Sequence, residues 1–226
     1  MVDNQKYTTM KNIKDKNFDH KKVVKDGYNK CSSDYSKVRN KKTEPSLKLL
    51  TDKLVDQNAK VLDLGCGNGV PVSKILSKFQ LTGVDISEKQ IENAKINIPN
   101  AHFICSDIST FDFQENYWDA IVSYYAIFHL KKEEQLKLFN KMAKGLKVGG
   151  YFLLTLATLN EEGYTEDDFF GVEMFWENYS LKEYENIFLE QGMTVLHSGI
   201  LKHGYNEDFE GNDETHPIIF GIKTAK

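Results

Sequence analysis

Short apolar runs alternate along the chain with longer stretches in which apolar residues recur every three or four positions. The runs are KVLDLG (60–65), LTGVDI (81–86), AHFICSD (101–107), WDAIVSYYAI (118–127) and GGYFLLTLAT (149–158). Runs of this length between polar or glycine-containing segments predict buried strands. The stretches between them predict a helix over 70–79, a second from Ser87 to about 94–96, and a third striped by Leu136, Phe139, Met142 and Leu146. Upstream, 18–42 and 44–56 read as helices, the latter with Pro45 in its first turn and Leu47, Leu50 and Leu54 at helical spacing. Ser87 with Gln90, and Ser180 with Glu183, have the spacing of capping boxes.

Strands alternating with helices predict right-handed βαβ units and an α/β fold on a parallel sheet. After residue 158 the pattern changes. A polar, aromatic segment (159–179) leads to a helix at 180–191 that stops at Gly192. MTVLHSGILKH (193–203) and PIIFGIK (217–223) then read as two strands with no helix between them, which predicts antiparallel pairing. Residues 1 to about 15 carry no apolar period and are expected to be disordered. The chain thus divides into an N-terminal helical cap (1–43) and a main domain (44–226) with an insert at 159–179.

Composition narrows the picture. The 226 residues suffice for one α/β domain. No apolar run reaches the roughly 18 residues of a membrane span, and the N-terminus has no apolar signal segment. Cys31, Cys66 and Cys105 are far apart and odd in number, which suggests neither a disulfide framework nor a metal site and points to the cytoplasm. The net charge of −4 hides an asymmetry: residues 1–60 hold 15 basic and 8 acidic side chains, the remainder 14 and 25. Nucleic-acid binders cluster arginine and are basic overall. This chain has one arginine, Arg39, and 28 lysines, so its basic arm reads as a solvated helix.

The chemistry concentrates at VLDLGCGNG (61–69), where the first strand breaks into Gly65, Gly67 and Gly69. A strand, a glycine turn and a helix place free backbone N–H groups at a ligand. In a dinucleotide fingerprint the third glycine would stand where Val70 is. Asp85 ends the second strand and suits the ribose hydroxyls of a nicotinamide cofactor or of S-adenosylmethionine (SAM). Asp63 discriminates, because it would repel a pyrophosphate and attract an ammonium or sulfonium. Asp107 at the end of the third strand, Gly149–Gly150 before the fifth and the antiparallel ending point the same way.

VLDLGCGNG, LTGVDIS, CSDIS, YWDAIVSYYAIFHL and LKVGGYFLLTL, in that order, resemble the class I SAM-dependent methyltransferases over about residues 45–158. The resemblance implies a Rossmann-like seven-stranded sheet of order 3-2-1-4-5-7-6, strand 7 antiparallel, with helices on both faces. It implies SAM as cofactor. Gly65 and Gly67 would line the methionyl moiety, with Ser123 or Tyr124 beside it. Asp85 would bind the ribose, Asp107 the adenine amine, and Ile108 would pack nearby. Asp63, Asn68 and Ile86 complete that set. DGYNKCSSDYSKVRN (26–40) resembles the family's helix that closes over SAM, with Tyr28, Tyr35 and Arg39 as candidates. Arg39 would offer a planar fork to the SAM carboxylate, or else form a surface ion pair.

The acceptor is less clearly marked. The fourth strand lacks the adjacent prolines of base amino methyltransferases, and no cysteine follows a proline as C5-cytosine enzymes require. A small-molecule acceptor is therefore expected, with no nucleic acid, membrane or metal. Residues 161–177 hold seven acids, five aromatics and no basic residue, and family architecture lays this insert over the methyl. Acids with aromatics suit an amine or other cation; alternatively the acids face water and the aromatics fill core. Tyr125, Phe128, Phe169, Phe170, Glu173 and Trp176 are the acceptor candidates. His129 and Tyr124 are the catalytic ones, His129 as a general base or as a packed, hydrogen-bonded histidine. A protein or RNA methyltransferase and a SAM-binding regulator without activity stay open. An NAD(P) oxidoreductase is disfavoured, since no Tyr-x-x-x-Lys follows the fourth strand.

Overall fold

A computed structural model describes residues 10–13, 15, 17–41, 44, 46–202 and 215–224. Pro45, His203 and residues 1–9, to which the sequence pattern assigns a helix start, a strand end and disorder, lie outside the described residues. The chain begins with β1 (Met10–Asn12), α1 (His20–Arg39) and the short α2 (Leu47–Thr51). The alternating body follows as β2 (Lys60–Leu64), α3 (Val72–Leu76), β3 (Gln80–Asp85), α4 (Glu88–Asn97), β4 (His102–Cys105) and β5 (Trp118–Ser123). A 3-10 turn (Ile127–His129), α5 (Lys132–Gly145) and β6 (Leu146–Thr155) complete it. The chain ends with β7 (Glu161–Phe169), β8 (Val172–Asn178), α6 (Leu181–Glu190), β9 (Met193–Lys202) and β10 (Thr215–Lys223).

The main sheet runs β4-β3-β2-β5-β6-β10-β9, with β10 antiparallel to both neighbours and the β2–β6 pairings parallel. Numbered along the sheet's own strands, this is the expected 3-2-1-4-5-7-6 order. Successive side chains of a strand point to opposite faces, and both faces here are covered. Val61, Val122 and Leu153 meet Leu50 and Leu76 of α2 and α3 on one face. Leu62, Ile121 and Phe152 meet Phe139, Tyr184 and Phe188 of α5 and α6 on the other. Burial on both sides explains why these strands read as apolar runs.

Four expectations need correction. Leu136 is 42% exposed, and the buried stripe of α5 runs through Gln135, Leu138, Phe139 and Met142. Gln135 holds a core position because its amide bridges Leu130 O, Glu177 O and the Tyr184 hydroxyl. Leu146, assigned to that helix, starts β6. β5 stops at Ser123 rather than 127, because Tyr125 adopts a left-handed backbone (φ 57°). Residues 10–12 are ordered as β1, paired antiparallel with β7 (Met10 opposite Glu166, Asn12 opposite Tyr164).

The segment 159–179 is a hairpin. β7 and β8 pair antiparallel and, with β1, form a second, three-stranded sheet. Phe170 (φ 51°) and Gly171 (φ 76°) make the two-residue turn, both left-handed as such hairpins require. α1 packs on this sheet through Val24, Met174 and Phe175.

Candidate functional site

The end of β2 meets the start of β3's exit loop at a pinned turn. Gly65 and Cys66 N–H both donate to Val84 O (2.7 and 3.1 Å). Gly65 (φ 71°) has no room for a side chain, since a Cβ would lie 2.1 Å from that of Ala126. Gly67 (φ 54°) is different: a Cβ there would meet nothing within 4 Å. The turn is thus tight on its inner side and open on its outer one. Asp85 braces it, accepting from Gly67 N through Oδ2 and from Ser87 N through Oδ1 (both 2.9 Å). Burial raises the Asp85 carboxyl to about 6 despite these N–H donors. Asp63, also buried, is raised to about 7, and Ser73 Oγ donates to it at 2.5 Å.

Two narrow clefts meet at Gly65. One is lined by Tyr28, Asp85, Ile86, Asp107, Ile108 and His129, the other by Tyr35, Arg39, Asp63, Gly67, Asn68 and Tyr124. α1 lies across both and is tied down along its length. Lys21 Nζ lies 2.7 Å from Asp107 Oδ2 and 2.6 Å from Glu134 Oε1, and His20 Nε2 lies 2.7 Å from Glu134 Oε2. Burial would raise Glu134, but the hydrogen bonds from His20 and Lys21 outweigh it and hold the carboxyl at about 2. Asn68 Nδ2 donates to Ser36 Oγ (3.0 Å) and Asn40 Oδ1 (2.9 Å), joining the turn to the end of α1.

His129 sits where β5's chain turns away from the sheet. The Tyr125 N–H donates to Thr155 Oγ1 (2.5 Å), and the 3-10 turn then buries the imidazole. Its Nδ1 lies 2.8 Å from Phe175 O. A carbonyl only accepts, so Nδ1 carries the proton and Nε2 accepts from the Tyr28 hydroxyl at 2.9 Å. Burial lowers His129 to about 4, so it is neutral near pH 7. Its ring also packs against Trp176 (4.4 Å between centroids) and Phe128 (5.1 Å).

Those two rings belong to the wall of a larger cavity, about 440 Å³, between the hairpin and the ends of β6 and β10. Phe169, Phe170, Tyr164 and His216 add further rings; Glu161, Glu166, Asp168 and Asn178 supply the polar lining. His129 therefore stands between the cleft holding Asp85 and the cavity under the hairpin.

The structure brings most sequence-predicted residues together but redirects several. Ser123 lines neither cleft: it is fully buried and donates to Leu64 O (2.8 Å). The Tyr124 hydroxyl is hydrogen-bonded to Ser46 Oγ (2.8 Å), burial raises its pKa, and the residue lines the Asp63 cleft. Arg39 forms neither an open fork nor a surface pair; it makes a buried ion pair with Glu44 (2.8 Å) and lies 4.6 Å from the Tyr125 ring centroid. Tyr125 packs between Arg39 and His216 outside the cavity lining, and Glu173 is exposed and also outside it. Asp107 both turns its own loop, accepting from Ser109 N (2.8 Å), and receives Lys21. Phe175 is core. Lys21, Asn178 and His216 were not anticipated, because nothing in their local sequence distinguishes them from surface or core polar residues.

Comparison with known proteins agrees with this geometry. Residues 61–150 match the model of a methyltransferase domain family. The chain is 31% identical over 170 residues to a phosphoethanolamine N-methyltransferase of Plasmodium falciparum, covering 73% of this chain and 62% of that one. It is 27% identical over 172 residues to a carboxy-S-adenosyl-L-methionine synthase of Campylobacter fetus, covering 73% and 71%. The chain thus spans less than two thirds of the Plasmodium enzyme's length. A magnesium protoporphyrin IX methyltransferase from Synechocystis, solved with bound SAH, superposes with a TM-score of 0.67 over 91% of this chain and 100% of its own, at 14% identity. No helix among the described residues is long and apolar enough to cross a membrane. Glycine turn, strand-end aspartates and sheet order agree with these likenesses: residues 61–150 match a methyltransferase domain, and the sheet has the fold of the class I SAM-dependent methyltransferases.

Proposed function

We propose that this protein methylates a small amine, with SAM in the paired clefts at Gly65 and the amine in the cavity under the hairpin. The observation that carries this reading is the position of His129, which faces the Asp85 cleft on one side and packs on the cavity's Trp176 and Phe128 on the other. The clefts fit SAM chemically. Asp85 and Asp107 offer carboxylate acceptors to the ribose and the adenine amine, Ile86 and Ile108 offer apolar faces, and Asp63 offers a negative charge to the methionyl end. The open side of Gly67 lets backbone approach a ligand closely.

SAM, when bound, supplies a methyl on a sulfonium, so that the acceptor's lone pair forms the new bond as the C–S bond breaks and its electron pair stays on sulfur. The chain's own task is to align and desolvate. The rings of Tyr28, Phe169 and Trp176 exclude water around His129. The Tyr28 hydroxyl and His129 Nε2 form a donor–acceptor pair at the wall. With its pKa near 4, His129 is a weak base in this closed arrangement. The pair is suited to orienting a neutral amine rather than to stripping an ammonium.

Titration calorimetry with SAM and S-adenosylhomocysteine, followed by turnover on an amine panel, tests the reading. Binding with no transfer to any amine would reduce the protein to a SAM-binding module. Binding of neither nucleoside would sink it.

A further inference from the structure

The cavity under the hairpin sets two demands that one amino group cannot meet. The reacting nitrogen must carry a lone pair, and His129 is too weak a base to expose it by deprotonating an ammonium. The cavity nonetheless favours a cation. Glu161, Glu166 and Asp168 line it, and among the described lining residues there is no lysine or arginine. A second observation shows where the positive charge would sit. Asn178 is 4% exposed and lines the cavity, and its Nδ2 donates to Glu161 Oε2 at 2.7 Å. That bond fixes the amide's orientation, because the flipped amide would set its oxygen against a carboxylate. Asn178 Oδ1 is then a buried acceptor with no hydrogen-bond partner among the described residues. A buried acceptor without a donor costs stability. An acceptor oxygen beside a carboxylate is a receptor for an ammonium N–H.

We propose that the acceptor is a diamine: one amino group held as an ammonium by Glu161 and Asn178, the other presented neutral to the methyl at the Tyr28–His129 wall. The aromatic rings of Phe128, Tyr164, Phe169 and Trp176 line the cavity, Phe169 packing on Tyr28 and Trp176 on His129, and suit a short apolar linker or a cation over a ring face. The same lining disfavours acceptors with a phosphate or carboxylate, which would face Glu161 and Asp168 with no lysine or arginine among the described lining residues. This chain therefore differs in substrate charge from its phosphoethanolamine-methylating relative. The transfer balances: the neutral nitrogen's lone pair forms the N–C bond, the sulfonium becomes a neutral thioether, and the resulting alkylammonium releases a proton to solvent.

The proposal rests on the methyltransferase reading above, and its test separates the two. Binding of 1,4-diaminobutane, butylamine and phosphoethanolamine to the protein saturated with S-adenosylhomocysteine is measured by calorimetry, and their methylation by release of S-adenosylhomocysteine from SAM. Butylamine is an ammonium at neutral pH and should bind at Glu161 and Asn178 without being methylated, the diamine should bind there and be methylated, and phosphoethanolamine should not bind measurably. Glu161→Gln should weaken the diamine and butylamine alike by at least about tenfold, the worth of one charge-assisted hydrogen bond, while S-adenosylhomocysteine affinity and melting temperature hold. Asp168→Asn, a change at the cavity that leaves the Asn178 pair intact, should weaken the diamine less and guards against misfolding of the first variant. Methylation of butylamine at the diamine's rate, diamine binding unchanged by Glu161→Gln, or preference for phosphoethanolamine overturns the proposal. Tight diamine binding without turnover retains the ammonium site and rejects the transferase reading alone.

Discussion

The glycine turn at 65–69 and the hairpin at 161–178 lie on opposite sides of His129, and they are built in opposite ways. The turn is made by residues adjacent in sequence, gripped by the neighbouring strand through Val84 O and Asp85. The hairpin is an acid-rich ribbon, EEGYTEDDF followed by VEMFWEN, with a two-residue turn. It owes its place to residues more than a hundred positions away: β1, and Val24 of α1. The ends of the central strands thus form the proposed donor site, while a separately assembled cover shapes the proposed acceptor site. The donor site follows from local chemistry, whereas the acceptor site follows from long-range packing.

The sharpest way to break this contrast is to compare stability across the two regions. Phe139 is fully buried in the main core, beside Phe188 and Tyr184. Phe139→Ala should lower unfolding free energy by about 3–5 kcal/mol. Phe169, half-buried at the hairpin tip, should cost about 1 kcal/mol when cut to alanine, while raising the acceptor's KM. Urea melts of both variants check this. An equal loss for the two would mean that the hairpin is part of the main cooperative core.

The second test is chemical. Asp85→Ala removes both carboxylate oxygens and unbraces Gly67, so S-adenosylhomocysteine should bind about 100-fold more weakly, two hydrogen bonds' worth at roughly 1.5 kcal/mol each. Calorimetry would show it, and the diamine site should be untouched. A matching loss of diamine binding would contradict the separation of the two sites.

How much of this was legible follows from the same contrast. The five parallel strands, the glycine turn and the strand-end acids Asp85 and Asp107 could be read because each signal is local: an apolar run, a glycine spacing, an acid at a strand end; the strand order and the places of Ile86 and Ile108 came only through the family resemblance. β7 and β8 could not. Glutamate and aspartate are poor strand formers, and only pairing with β1 and packing on α1 make the segment a sheet. Of the alternatives Ser123 and Tyr124, the structure brings only Tyr124 to the cleft. β5 ends at Ser123, its hydroxyl turns inward to Leu64 O, and Tyr124 takes the cleft wall. Arg39 was recognised as unusual for a sound reason, a planar fork, but the fork's partner was Glu44, five residues on.

A third test acts on the wall between the regions. Tyr28→Phe removes the donor to His129 Nε2 and keeps the ring, while His129→Ala opens the wall. Tyr28→Phe should lower kcat about tenfold with little change in S-adenosylhomocysteine affinity. His129→Ala should lower it by about 100-fold, within the range of a positioning or acid–base group. Steady-state kinetics with the turned-over amine checks both. A Tyr28→Phe variant with unchanged kcat and a raised KM would make the pair part of acceptor binding only.

The smallest effect, and the one that separates the regions by pH alone, comes from the buried acids of the donor site. Burial holds Asp85 at about 6 and Asp63 at about 7, above the usual 3.8. The fold therefore favours their protonated forms, and the stability they contribute is present below pH 3.8 and lost as pH rises through 6 to 7. His129 runs the other way. Lowered from 6.5 to about 4, it contributes stability above pH 6.5 that is lost as pH falls toward 4. The two acids outweigh the single histidine, so net stability falls between pH 5 and 7, and ligand binding runs the other way. A ribose needs Asp85 as an acceptor, and a methionyl ammonium is attracted only by ionised Asp63. S-adenosylhomocysteine should bind about tenfold more tightly at pH 8 than at pH 5, releasing protons that calorimetry in phosphate and Tris buffers would count. Asp63→Asn should flatten the part of this dependence near pH 7 and leave the part near pH 6. A flat profile in the parent protein would show that these carboxyls are ionised before the ligand arrives, and that the donor site is wetter than its closed form implies.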